Sequence, residues 1–259
     1  MVTGSHRRPF DLTGRTALVT GGSRGIGRAA CLAFARAGAR VVVHYHRDGE
    51  AAEQVAGEIA ALGADAATAQ ADVTSAGDVG RLAEAVAEFA GARGLNILFN
   101  NAGIYPSGSI ESIEPEEWDR VMAINARGPF LCVRALLPLL KAADEARIIN
   151  IGTVMAYRGI PGMLHYIASK SAVVGLTHGL ARELAPHGIT VNCIVPSMVQ
   201  TETADRDYAG AEEAVIAEQA VQRYQQPEDL TGLLVFLASC ESGFTTGQTI
   251  LADGGRIFL

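Results

Sequence analysis

Lysine is almost missing from this chain: Lys141 and Lys170 are the only two in 259 residues. With a formal charge of −7, there is no basic excess to hold nucleic acid or an anionic membrane, and neither is expected as a partner. Long apolar runs are missing too, since none approaches the ~20 residues that cross a bilayer. Residues 1–10 are short, polar and basic, without the apolar core of a secretory signal. Cysteine is scarce and scattered. Cys31, Cys132, Cys193 and Cys240 lie far apart on apolar segments, at no metal or redox spacing. His44 and His46 have no ligand partner at such a spacing either. These absences predict no metal site and a reducing, cytoplasmic setting. Repeats and low-complexity linkers are also lacking, and 49% hydrophobic content suffices for one large core. One domain over 14–259 is expected, after an N-terminal extension 1–13.

What is present is an alternation of apolar runs and helical patterns. Thr16-Ala17-Leu18-Val19-Thr20 reads as a buried strand, followed by a glycine turn over 21–27. A helix then places Ile26, Ala30, Ala33, Phe34 and Ala37 on one face, and Gly38 closes it. A second strand at 41–43 completes a βαβ unit with parallel strands. Further strands are expected over 65–71, 95–99, 147–151, 189–195 and 248–251. The helices fall at 49–62, 75–90, 115–141, 165–185 and 230–238. Pro115 opens the 115–141 helix, while Pro129 and Pro138 should bend or interrupt it. This is the pattern of an α/β, doubly wound parallel seven-stranded sheet, which binds ligands beyond the carboxyl ends of its strands.

Against that background one of the two lysines stands out. Tyr166 and Lys170 are four residues apart, on one face of a helix. The ammonium favours the phenolate, and a tyrosine used as acid or base near neutrality needs a pKa ~2–3 units below its usual ~10. Six tyrosines and two lysines give this spacing by chance only about 0.05 times per chain. The glycine turn, between a strand and a helix N-terminus, suits a pyrophosphate.

Thr20-Gly21-Gly22-Ser23-Arg24-Gly25-Ile26-Gly27 resembles the glycine turn of the short-chain dehydrogenase/reductase family. Asn100-Asn101-Ala102-Gly103 is similar to that family's motif after the fourth strand, and Tyr166/Lys170 to its Tyr-x-x-x-Lys. The resemblance extends from about 14 to 255 and implies a Rossmann fold. It implies that Tyr166 exchanges the proton on the substrate oxygen while hydride moves to or from a nicotinamide. Lys170 is then expected to lower the tyrosine pKa and bind the ribose, and Asn125 to hold a water in a proton relay. Thr153 takes the carbonyl-polarising position, where the family usually has serine. Pro196-Ser197 replaces the usual Pro-Gly. Asp72 and Val73 are expected beside the adenine, and Pro196, Ser197, Val199 and Thr201 near the nicotinamide.

Strand two ends in Tyr45-His46-Arg47, with Tyr45 where an NAD enzyme carries an acid. Arg24 and Arg47 suit a 2′-phosphate, so NADP is the preferred cofactor and NAD the possible one. Candidate substrate walls are Ile104, Tyr105, Val154, Met155, Tyr157, Met163, His165, Met198 and Val199, under a lid over about 200–226 that includes a solvated 209–220 helix. Arg158 is the one obvious anion partner among them. The mostly apolar list favours a hydrophobic or aromatic ketone or secondary alcohol. A β-ketoacyl or polyketide ketoreductase is the rival activity, and a non-catalytic cofactor-binding regulator the rival class. Long apolar helices and the resemblance lead to an expected homotetramer or homodimer.

Overall fold

The computed structural model describes residues 9–202, 204 and 210–258. Most of the expected N-terminal extension and, within the expected lid, residues 203 and 205–209 lie outside them. Seven parallel strands lie in the order β3-β2-β1-β4-β5-β6-β7. They are β1 Thr16–Val19, β2 Arg40–Tyr45, β3 Ala66–Gln70, β4 Ile97–Asn100, β5 Ala146–Ile151, β6 Ile189–Pro196 and β7 Thr249–Ala252. The strand ends fall within two residues of the expected ones. Val19 of β1 pairs with Val43 on one side and Phe99 on the other. The strand order reverses between β1 and β4, and their diverging connections open a crevice there.

Among the described residues the α-helices include α1 Gly25–Arg36, α2 Gly49–Ala61, α3 Ala76–Ala90, α4 Pro115–Met122, α5 Gly128–Ala142, α6 Met155–Arg158, α7 Leu164–Leu184, α8 Glu212–Ala217 and α9 Thr231–Ala238. Strand alternation sends successive side chains to opposite faces, which gives two cores. Ala17, Val19, Val41 and Val43 pack with Phe34, Ile59 and Leu234 from α1, α2 and α9. Leu18, Val42, Leu98 and Ile148 pack with Leu82, Leu136 and Leu184 from α3, α5 and α7. Cys31, Cys132 and Cys193 are buried core residues, their thiols pushed up by burial.

Two expectations are corrected here. The helix over 115–141 is interrupted before Pro129 rather than at it, by a π-helical turn at Ala123–Arg127. Pro129 has no N–H for the carbonyl of Asn125 four residues back, and Gly128 bonds instead to Ala123, five back. Pro138 is accommodated inside α5. Contrary to the expectation that no stretch approaches a membrane-crossing length, the run Pro115–Ala142 is long and apolar enough to cross one by length and composition alone; here it packs against α3 and α7. The N-terminal boundary also moves. Leu12 is fully buried in the first core, its N–H donates to Ala37 at 2.8 Å, and Phe10 meets Phe236 edge-on at 6.2 Å. The domain therefore begins before residue 14.

Candidate active site

The crevice is a cleft of about 1050 Å³ at the carboxyl ends of the strands. Its first wall is the glycine loop between β1 and α1. Gly21 and Gly25 hold φ of +65° and +52°, in the left-handed region that glycine tolerates. Gly27 has a different reason: a Cβ there would sit 2.0 Å from the Gly21 carbonyl oxygen. Gly27 therefore packs beneath the loop, while Gly21, Ser23, Arg24, Gly25 and Ile26 line the cleft. The loop is tied to β4 at several points. Thr20 Oγ1 accepts from the Asn101 and Ala102 amides at 2.9 and 3.1 Å, and Asn101 Nδ2 donates to the Thr20 and Gly21 carbonyls at 3.0 Å each. Helix α1 has no side-chain cap, so its first N–H groups are left for an anion at its positive end.

Tyr45, His46, Arg47, Asp72, Val73, Asn101, Ala102, Gly103, Pro196, Ser197, Val199 and Thr201 line the same cleft. Among the described residues Arg24 and Arg47 are exposed and form no ion pair. Asp48 also reaches the cleft, but its Oδ1 accepts from the Ala51 amide at 3.1 Å as the α2 N-cap. Asp72 is held by the Thr74 amide and hydroxyl at 2.8 and 2.7 Å, and these bonds lower its pKa. The residues present fit a dinucleotide with a 2′-phosphate: a glycine cradle, an uncapped helix start and two unpaired guanidinium groups.

Thr153, Tyr166 and Lys170 converge on the cleft from the end of β5 and from α7. Lys170 is 5% exposed, and its Nζ donates to the Ile151 carbonyl at 2.9 Å. Burial lowers its pKa to about 8, because an ammonium loses hydration there. The Thr153 hydroxyl oxygen accepts from the Met155 amide at 3.3 Å, which leaves its proton for another acceptor. Asn125 lies beneath the cleft wall, fully buried. Its Oδ1 accepts from the Ile104 amide at 2.8 Å, while Nδ2 donates to the Ile104 carbonyl at 2.7 Å and to Ser169 Oγ at 3.0 Å. The side-chain amide is thus engaged on both atoms. Pro129 supplies no α-helical N–H to the main-chain carbonyl of Asn125.

Of the expected substrate walls, Ile104, Tyr105, Met155, Met163, Met198 and Val199 line the cleft, and the Tyr105 ring meets Tyr166 edge-on at 6.1 Å. Three expected wall residues stand elsewhere. His165 is fully buried, with Nε2 3.2 Å from Glu117 Oε1 on α4. Tyr157 turns toward Thr249 of β7, and Val154 is buried with Val173 and Val195. Helical rotation of about 100° per residue is the reason. If Tyr166 faces the cleft, its neighbour His165 cannot; if Met155 does, Val154 and Tyr157 cannot.

Several features carried no signal in the sequence. Arg158 is taken by Glu218 in a two-point ion pair at 2.6 and 2.7 Å, and Arg256 joins the same carboxylate at 2.7 Å. Ser197, in place of the usual glycine, donates its hydroxyl to Gln219 at 2.9 Å, so the end of β6 is tied to the segment after α8. Among the described residues of the expected 209–220 lid helix, Glu212–Ala217 is helical, and Val215 is buried rather than solvated. His44 contributes as well: its ring lies between the glycine loop and the end of β3.

Comparison with known proteins agrees with this geometry. Residues 21–256 match a family described as Enoyl-(Acyl carrier protein) reductase. A 3-oxoacyl-[acyl-carrier-protein] reductase from Synechocystis sp. is 38% identical over 247 residues, 95% of this chain and 98% of that protein. A short-chain dehydrogenase from Burkholderia cenocepacia, solved in complex with NADP, superposes with a TM-score of 0.88 at 37% identity, over 95% of this chain and 98% of that one. The angucycline C-6 ketoreductase LanV, solved with bound NADP, gives 0.89 at 36% identity, over 95% and 96%. The chain belongs to the short-chain dehydrogenase/reductase family, oxidoreductases that interconvert carbonyl and alcohol groups by hydride transfer.

Proposed function

We propose that this chain is an NADPH-preferring ketoreductase for a carbonyl on an apolar or aromatic skeleton. The observation that carries the reading is the convergence of Thr153, Tyr166 and a buried Lys170 on one cleft with the glycine loop. Bound NADPH supplies the hydride. Thr153 donates a hydrogen bond to the carbonyl oxygen, keeping its own proton, and stabilises the charge that develops there. Tyr166 delivers the proton that completes the alcohol. Lys170 supplies positive charge beside the phenol, and its burial strengthens that field. Tyr166 is reprotonated by way of Lys170 from a water on the Asn125 carbonyl.

The choice of NADPH is supported by Arg24 and Arg47, by the engagement of Asp48 as a helix cap, and by the NADP bound in two relatives. The apolar wall and the internal neutralisation of Arg158 support an uncharged substrate. The reductase names among the relatives favour a second reading, a 3-oxoacyl thioester. Steady-state rates with aryl ketones, a 3-oxoacyl thioester and a trans-2-enoyl thioester separate these. The first reading requires the highest kcat/KM on a free ketone, and enoyl turnover without ketone turnover would overturn both. A homo-oligomer in the cytoplasm completes the proposal, supported by exposed Phe130 on α5, Leu164 on α7 and Phe244 beside β7. Light scattering at micromolar concentration should show a dimer or tetramer.

A further inference from the structure

His44 is 1% exposed at the end of β2 and serves both adjoining segments of the cleft. Its main-chain carbonyl accepts from the Gly22 amide at 2.8 Å. Its ring Nδ1 lies 3.0 Å from the Gly21 amide, which donates to it. Two successive N–H groups of the glycine loop are therefore held by one residue. On the far side, Nε2 is 3.1 Å from the Ala71 carbonyl, next to Asp72 and Val73 of the adenine wall. An amide donor on Nδ1 and a carbonyl acceptor on Nε2 admit a single neutral tautomer, with the proton on Nε2.

The surroundings agree. The charged or titratable groups around the ring are His46 just past the end of β2 and Asp72 from the β3–α3 connection, with the Cys31 thiol of α1 3.8 Å from the Gly22 carbonyl. His46 and Asp72 act in opposite directions, Cys31 stays a neutral thiol, and burial holds His44 neutral with a pKa lowered to about 4.

We infer that His44, as the neutral Nε2–H imidazole, is a positioning residue for the dinucleotide: it locks the glycine loop to the adenine wall so that both meet the cofactor together. The inference rests on the cleft being the NADP(H) site. Two substitutions divide the ring's contacts. His44→Asn keeps an acceptor at the Nδ1 position, and His44→Gln keeps only a donor near Nε2. NADPH affinity should weaken at least tenfold in His44→Gln and stay within about threefold in His44→Asn, while kcat at saturating NADPH changes less than affinity in both. Nitrogen-15 spectra of the wild type at pH 6 should show His44 neutral and protonated on Nε2. A folded His44→Gln with wild-type NADPH affinity, or a wild-type His44 protonated on Nδ1 at pH 6, would overturn the inference while leaving the cofactor assignment intact. A wild type that binds neither NADPH nor NADH would overturn the cofactor assignment and this inference together.

Discussion

The two walls of the cleft are built in different ways. The cofactor wall is over-determined: Thr20, Asn101 and His44 each fix the glycine loop, and Gly27 has no room for a methyl group. The proposed substrate wall includes Met155, Met163 and Met198, flexible side chains that fill irregular space, backed by the segment after α8, which is anchored through Ser197 and Gln219. Rigid hydrogen-bonded geometry suits a ligand that never changes. A wall of methionines adapts to its ligand, so its shape follows from side-chain volume and rotamer rather than from a motif.

Perturbing the shared centre should have the largest effect. Lys170→Met removes the charge beside Tyr166, and kcat should fall ~10³-fold, within the range for loss of an acid–base group. In the wild type, reduction should decline as pH rises through about 8, because the ammonium is lost there; a kcat profile flat to pH 10 would contradict this. The cofactor wall has its own pH signature. The folded pKa of His44 is about 4, against 6.5 unfolded, so the unfolded chain binds the extra proton. Stability is then full above pH 6.5 and lost as pH falls toward 4, by about 3 kcal/mol from this group. Urea denaturation at pH 7 and pH 4.5 should show a smaller loss in His44→Asn than in wild type.

On the substrate side, Thr153→Val keeps the shape and removes the donor, and kcat should fall ~10²-fold with KM little changed. Thr153→Ser keeps the hydroxyl and should stay within about tenfold of wild type. The smallest effect is expected at the rim of the cofactor wall. Arg24→Ala with Arg47→Ala should raise KM for NADPH about tenfold and leave KM for NADH unchanged, since each charge-assisted contact contributes modestly in solvent.

The same contrast decides what the sequence revealed. The strands were legible because central parallel strands are apolar on both faces, and the cofactor wall because its turn needs glycine at fixed spacings. Tyr166 and Lys170 were legible as one helical turn. The misplacement of His165 and Tyr157 has one cause: adjacent residues on a helix point about 100° apart, and a sequence does not say which of them faces the cleft. The π turn before Pro129 requires knowing which carbonyl the proline deserts. His44 gave no signal because its role depends on two segments, at Gly21 and Ala71, that approach it only in the folded sheet.

The central claim is that Tyr166 is the proton donor of a carbonyl reduction in this cleft. Its most direct test compares Tyr166→Phe with wild type, using one ketone and saturating NADPH. Cofactor affinity is followed by fluorescence, turnover by loss of nicotinamide absorbance, and folding by circular dichroism. The account predicts a folded variant that binds NADPH as wild type does and oxidises it at least ~10³-fold more slowly. Full turnover by folded Tyr166→Phe would contradict it.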